Sequence, residues 1–385
     1  MGACYVHQSA AVCALGEDIA SIAETLFTAT RSPLVLTDDY LPGRVLPVGR
    51  VDVPLLADTR NNSLLAAALA PLRAAVEQLK TRYGTDRIAV ILGSSTSGIA
   101  EGEAAVAQHL HTGEFPLGFH YRQQEMFAPA EFVARELQIG GPAWTISTAC
   151  TSSAKAIASG ARLLDLGVCD AVIVGGADAL CRLTLTGFAS LEAVSDEVCN
   201  PFSANRKGIN IGEAAALMIL SREPSAVRLA GYGETSDAYH ISAPHPEGLG
   251  AEAAMRTALV NAGLQPADID YINLHGTATE HNDQMESHAV ARVFGNAIPC
   301  GSTKPLTGHT LGAAGALEAI FCYLTLIQGN GRLPRHLWDG VQDPALPELS
   351  ALGAVTIAQL PRYVMSNSFA FGGNNIALIL ERCDG

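Results

Sequence analysis

The sequence predicts an α/β protein organised as a five-layered α/β/α/β/α sandwich, and three observations point to it. Apolar strand-like runs lead into helical ones, the pattern of buried sheets covered by helices. The same kinds of piece recur in the second part of the chain, which implies a duplication. Two helices, one after Cys150 and one from Leu311 to Leu326, are rich in Ala and Gly on every side, as expected of helices enclosed by closely approaching layers.

The first half is taken as residues 1–230. In it "RIAVILGSSTSG" reads as a strand entering a Gly/Ser turn. "AWTISTAC" is a strand opening into the helix "TSSAKAIASGARLLDLG", and "DAVIVGGAD" is another strand and turn. That helix places Ala154, Ile157, Ala158, Ala161 and Leu164 on one face. Residues 25–60, rich in Pro and Asp, read as an irregular excursion over the core. The second half, residues 231–385, opens with the strand and turn "DIDYINLHGT". It continues with "IPCGSTKPLTGHTLGAAGALEAIFCYLTLIQ", a short strand, a loop and the second small-residue helix. It closes with "YVMSNSFAFGGNNIALIL", two strands about a glycine turn.

Composition narrows the functional classes. The chain is 48% hydrophobic, 16% charged and 6% aromatic, a tightly packed globular profile. Its formal charge of −14 argues against nucleic acid as a partner, since phosphate binding needs a basic surface. A small acidic protein needs only a local basic patch. No apolar run approaches the ~20 residues of a membrane span, and the N-terminus lacks the basic, then apolar, pattern of a secretory signal. The nine cysteines are scattered without a CxxC pair or zinc-ligand spacing, so the expectation is a reduced, cytoplasmic protein with no metal site. Nor is there a GxGxxG, P-loop or GxSxG pattern.

A few residues stand out chemically. Cys150 lies where a strand ends and a helix begins, so its sulfur would face unpaired N–H groups, a position that lowers a thiol's pKa. A packed structural thiol and a nucleophile both fit that placement. His275 ends an apolar strand, with Thr277, Thr279, Asp283 and Glu286 following; taken alone it also reads as a satisfied core histidine. Lys304 and His309 share a loop leading into the second small-residue helix, whose Glu318 is placed to pair with the lysine. Phe369 and Phe371 stand immediately before a Gly-Gly turn whose backbone N–H is a potential oxyanion donor.

Taken in order, TACTSS, HGTAT, STKPLTGH with GAAGALE, and NSFAFGGNN resemble the condensing enzymes, and more narrowly the elongating β-ketoacyl-[acyl carrier protein] synthases of the Cys-His-His class. The resemblance runs from about Arg87 to Leu380 and includes "NPFSANRKGINIGEAAALMIL" and "ETSDAYHISAPHPEG". It implies the duplicated thiolase fold, with halves 1–230 and 231–385, and a dimer whose sheets join across a two-fold. His309 in the third catalytic segment sets the chain apart from the Cys-His-Asn initiating synthases and from thiolases.

The resemblance also assigns roles. Cys150 is the nucleophile, and His275 and His309 are N–H donors to a malonyl-derived enolate. The backbone N–H groups of Cys150 and Phe371 form the oxyanion hole, and the Phe371 side chain is a gate. Lys304 and Glu318 organise the histidines. Thr277, Thr279, Ser242 and Phe369 line the substrate channel, Arg206 and Lys207 dock the carrier, and Met126 and Phe127 reach towards a partner subunit. No soluble cofactor is implied, because phosphopantetheine arrives on the acyl carrier protein. The expected partners are acyl- and malonyl-carrier proteins and a second subunit, either another copy or a ketosynthase-like chain-length factor. Thr151 in TACTSS, Asn374 in FGGNN and the compact excursion favour a specialised polyketide or aryl-polyene system over fatty-acid synthesis. The alternative, a non-catalytic chain-length partner, is disfavoured because Cys150, His275 and His309 are all present.

Overall fold

A computed structural model of the chain describes residues 2–383. The first half contributes β1 (Tyr5–Val12), α1 (Ile19–Thr28), β2 (Val35–Thr37), β3 (Leu46–Val48), α2 (Arg60–Leu69) and α3 (Arg73–Tyr83). It continues with β4 (Ile88–Gly93), α4 (Ile99–Thr112), α5 (Ala128–Leu137), β5 (Ala143–Ile146), α6 (Ser152–Asp165), β6 (Ala171–Asp178), α7 (Arg182–Ser190) and β7 (Ala214–Ser221). The second half has β8 (Val227–Ser236), α8 (Leu249–Ala262), β9 (Tyr271–Asn273), α9 (Glu280–Phe294), β10 (Cys300–Gly301) and α10 (Lys304–Thr307). It ends with α11 (Ala314–Ile327), β11 (Tyr363–Phe369) and β12 (Asn374–Arg382).

The duplication is visible in the strand order β10-β9-β11-β12-β8-β1-β7-β6-β4-β5. Numbered within its own half, each set of strands follows the order 3-2-4-5-1. Polarity repeats as well: β4 is parallel to β5 and β6, with β7 antiparallel to β6 and β1. In the same way β9 is parallel to β10 and β11, with β12 antiparallel to β11 and β8. The halves join where Tyr5 pairs with Arg228 and Val6 with Val227. The motif changes between Ser221 and Val227, so a boundary at 230/231 falls inside β8.

α6 and α11 lie between the two halves of the sheet, and the largest apolar cluster surrounds them. α2 and α5 cover the outer face of the first half, and α8 and α9 that of the second. The expected five layers are those of the structure. Two local expectations need correction. α1, capped by Asp18 accepting from the N–H groups of Ala20 and Ser21, runs on to Thr28, so the excursion starts later and contains the β2–β3 hairpin. The second small-residue helix begins as a 3-10 turn over Leu311–Ala313, because Leu311 has φ 52°.

Close approach explains the small residues. A Cβ added to Gly93 on β4 would lie 2.2 Å from the Ser153 nitrogen, and one added to Gly315 on α11 would lie 2.6 Å from the Ala154 Cβ. Gly315→Val should therefore destabilise by ~2 kcal/mol or more through overpacking. Gly187→Ala on α7 meets no atom within 4 Å and should be neutral or stabilising by up to ~1 kcal/mol. Urea unfolding midpoints of the two variants check both; equal midpoints would remove helix contact as the reason for the glycine.

Candidate active site

The nucleophile candidate sits on an elbow. β5 ends at Ile146, Ala149 takes φ 51°, and α6 starts at Ser152, so the chain reverses sharply around Cys150. The hydroxyls of TSS lock this turn. Thr151 Oγ1 donates to the Thr148 carbonyl at 2.7 Å, and Ser152 Oγ donates to the Ala149 carbonyl at 2.6 Å while accepting from the Thr148 N–H at 2.9 Å. Ser153 Oγ accepts from the N–H of Ala316, which ties the elbow to α11.

Cys150 Sγ lies 2.9 Å from His309 Nε2. The His275 and His309 rings meet edge to face with centroids 5.2 Å apart, and one ligating atom from each of the three residues lies within 4.8 Å of the others. His309 is anchored by its backbone N–H donating to the Asn210 carbonyl at 2.7 Å. The turn after β9 that carries His275 is held by Glu286, whose carboxylate accepts from the N–H groups of His275 and Gly276 at 2.8 and 2.7 Å. Lys304 donates to Glu318 Oε1 at 2.6 Å, and both side chains are almost wholly buried. The backbone N–H groups of Cys150 and Phe371 both approach the sulfur and favour its anionic form. Phe371 packs on Phe188 of α7 with centroids 5.4 Å apart.

Cys150, Phe188, His275, His309 and Phe371 line a cavity of about 590 Å³. Ser242, Thr277, Thr279 and Phe369 line it, so the structure brings the expected channel residues to one place. The Thr277 and Thr279 hydroxyls hydrogen-bond each other at 2.8 Å. Lys207 lies at the cavity and keeps an exposed charge, 3.0 Å from Glu197. Arg206 departs from expectation: its side chain is 9% exposed and paired with Asp343, so it is not a free docking cation. Phe127 is exposed under the Arg122 guanidinium, and neighbouring Met126 is half-buried.

Electrostatics supplies a second correction. The helix N-terminus was expected to lower the Cys150 pKa; instead burial pushes it up to about 12, against the opposing pull of the Lys304 ammonium and the two backbone N–H groups. Burial, and then Lys304, hold both histidines well below the ordinary value. At neutral pH the resting site is thus a neutral thiol against a neutral imidazole.

Sequence reasoning missed several supports. Asp178, buried at the end of β6, accepts from Ser94, Thr96 and the Ser95 and Gly312 N–H groups, fastening the first half to the turn before α11. A carboxylate ending an otherwise apolar strand was the available signal. Asn210 and Phe188 left none.

The chain matches the β-ketoacyl synthase N-terminal domain over 62–226 and the C-terminal domain over 226–337. It is 34% identical to nodulation protein E of Rhizobium meliloti, over 88% of this chain and 86% of that one. It is 33% identical to 3-oxoacyl-[acyl-carrier-protein] synthase 2 of Staphylococcus aureus, over 82% and 80%. Among solved structures it is similar to the ketosynthase ApeO of Xenorhabdus doucetiae, solved in complex with its chain length factor ApeC. There the TM-score is 0.94 and the identity 46%, covering 99% of this chain and 98% of that one.

The neutral resting state has a measurable consequence. Alkylation of Cys150 by iodoacetamide should accelerate about tenfold per pH unit from ~7 to ~10, because the thiolate fraction is still growing across that range. A plateau beginning below ~pH 8 would instead mean a preformed thiolate–imidazolium pair. With its fold, its paired domains and its Cys-His-His centre in view, the chain belongs to the β-ketoacyl synthase family.

Proposed function

We propose that the chain is a 3-oxoacyl-[acyl carrier protein] synthase that lengthens a carrier-bound acyl chain by two carbons. The observation that carries this reading is the Cys150 sulfur held 2.9 Å from His309 Nε2, with His275 and two backbone N–H donors beside it. Cys150 Sγ attacks the acyl thioester, and its proton passes through His309 Nε2 to the departing pantetheine sulfur. The tetrahedral oxyanion takes hydrogen bonds from the N–H groups of Cys150 and Phe371, each worth ~3 kcal/mol of barrier in comparable sites.

A malonyl thioester then enters. Its carbon–carboxylate bond breaks, carbon dioxide leaves, and the enolate oxygen accepts N–H bonds from His275 and His309. The enolate carbon bonds to the acyl carbon, the C–S bond to Cys150 breaks, and the released thiolate takes a proton from solvent. Lys304, fixed by Glu318, adds a positive field at the developing negative charge. Thr277, Thr279, Ser242 and Phe369 contact the pantetheine arm, and Lys207 meets the acidic carrier.

No cofactor beyond that arm takes part in this reading. Cys150, His275 and His309 have the donor set of a zinc site, but the Lys304 ammonium close enough to depress both imidazoles opposes a dication there. The free cysteines fit a reducing, cytoplasmic setting, and among the described residues no helix is long and apolar enough to cross a membrane.

The specialised pathway is the favoured setting. Identity to the ketosynthase solved in complex with its chain length factor is 46%, against 33% to synthase 2. The second subunit is then a chain-length factor. Exposed Phe127, and exposed Trp144 on edge strand β5, are the contacts proposed for it.

With acyl- and malonyl-carrier proteins, and the partner subunit co-expressed, mass spectrometry should detect an acyl adduct on Cys150 and a 3-oxoacyl-carrier two carbons longer. Cys150→Ala should lose the adduct and at least ~10³-fold of condensation; full condensation by that variant would sink the mechanism. Purified protein should hold less than ~0.1 zinc per chain and keep its rate in a chelator, whereas stoichiometric zinc would reverse the metal reading.

A further inference from the structure

The Gly-Gly turn that delivers the Phe371 N–H is held from two sides. On one side, the Gly372 N–H donates to the Ile241 carbonyl and the Asp237 N–H donates to the Gly373 carbonyl, both at 2.8 Å. Asn375 Nδ2 also donates there, to the Gly373 carbonyl at 3.3 Å and to Asp237 Oδ1 at 2.7 Å. On the other side the Lys155 side chain reaches in from α6. Lys155 Nζ donates to Asn374 Oδ1 at 2.7 Å. Asn374 closes the turn through its own carbonyl, which accepts from the Ala370 N–H at 2.8 Å. Its amide lies against Gly372, 3.7 Å from where a Cβ on that residue would stand.

Lys155 is on α6, five positions after Cys150. The helix that presents the sulfur therefore also grips the turn carrying Phe371, three positions before Asn374. The ammonium is half-buried, and the Glu234 carboxylate nearby is already bonded to Arg162. A half-buried lysine is expensive to keep without a partner, and Asn374 is the hydrogen-bond acceptor this one has. Gly372 and Gly373 have φ 81° and 74°, left-handed values that let the turn adopt its shape without fixing it there. Something outside the turn must set its distance from the nucleophile.

We propose that Lys155, through Asn374, is a positioning residue that holds the Phe371 N–H at the distance from Cys150 that the oxyanion requires. The two donors of the oxyanion hole come from opposite halves of the fold. The Lys155–Asn374 bond ties them through a side chain at the site itself. This inference rests on the proposed condensing activity for its kinetic consequence and on geometry alone for its structural one.

Lys155→Met, Asn374→Ala and the double variant test it, in the assembled enzyme. Amide hydrogen exchange of the peptide spanning 370–374 should accelerate about tenfold in each, a readout that needs no turnover. The kcat for condensation should fall about fivefold to tenfold with KM changed less than twofold, because the donor acts on the transition state. The double variant should be no slower than either single one. Lys155→Arg, which keeps a cationic donor, should recover to within about twofold of the parent. Additive losses, unchanged exchange at 370–374, or a lowered melting temperature with normal turnover of the folded fraction would each overturn the proposal. So would a Lys155→Arg variant as slow as Lys155→Met. A parent enzyme that makes no 3-oxoacyl product with any carrier substrate defeats the proposed function instead, and the exchange measurement still decides the tether.

Discussion

The structure depends on two helices sharing one narrow space. α6 and α11 occupy the gap between the halves of the sheet, and the room left to them is set by backbone contact at Gly93 and Gly315. Such packing buries nearly all of α11 and most of α6, and it admits only small residues where the backbones meet. It also brings their N-terminal approaches together. In each half, the stretch after the third strand of its motif leads into the central helix: β5 leads through Cys150 into α6, and β10 leads through Lys304 and His309 into α11. The duplication therefore carries nucleophile and imidazole to equivalent places, and helix packing closes them to 2.9 Å.

Much of this was legible in the sequence, for identifiable reasons. Small residues all round a helix report enclosure, and that pattern places α6 and α11 without any contact being known. The Lys304–Glu318 pair was legible because a charge after an apolar strand needs a partner within reach. Other features depend on distances that sequence does not encode. Glu286 was visible as one carboxylate among several, but its grip on the His275 turn depends on how α9 lies against β9. Arg206 looked like a surface cation because its neighbours are polar; its partner Asp343 is far away in the chain. The TSS run shows in sequence only as three small polar residues after Cys150. Their hydroxyls fasten the elbow and α11, which only the fold reveals.

The Cys150 pKa shows two principles in competition. A helix N-terminus offers partial positive charge worth at most ~2 kcal/mol to an anion. Complete burial opposes the anion by more than that, and the outcome is a thiol pushed up to about 12. Position along the chain reveals the first effect and not the second. In the proposed reaction the thiol is therefore activated as its proton passes to His309.

A neutral site also suits a reaction with two unlike halves. In the proposed reaction, acyl transfer asks His309 Nε2 to accept a proton, whereas enolate formation asks the same atom to donate one. A protein that fixed the tautomer through a partner on Nδ1 would favour one half-reaction at the expense of the other. Here the Nδ1 atoms of both His275 and His309 are buried with no hydrogen-bond partner among the described residues. The nearby Lys304 charge meanwhile discourages either ring from keeping a second proton. The one contact that acts on a tautomer is that of His309 Nε2 with the Cys150 thiol at 2.9 Å, which favours Nε2 as acceptor while the thiol keeps its proton. Once Cys150 is acylated the sulfur has no proton to give, and the Nε2–H form is the one the enolate oxygen selects. In the proposed reaction, burial, which makes the nucleophile weak at rest, is thus the same condition that lets two histidines serve as neutral donors to the enolate oxygen.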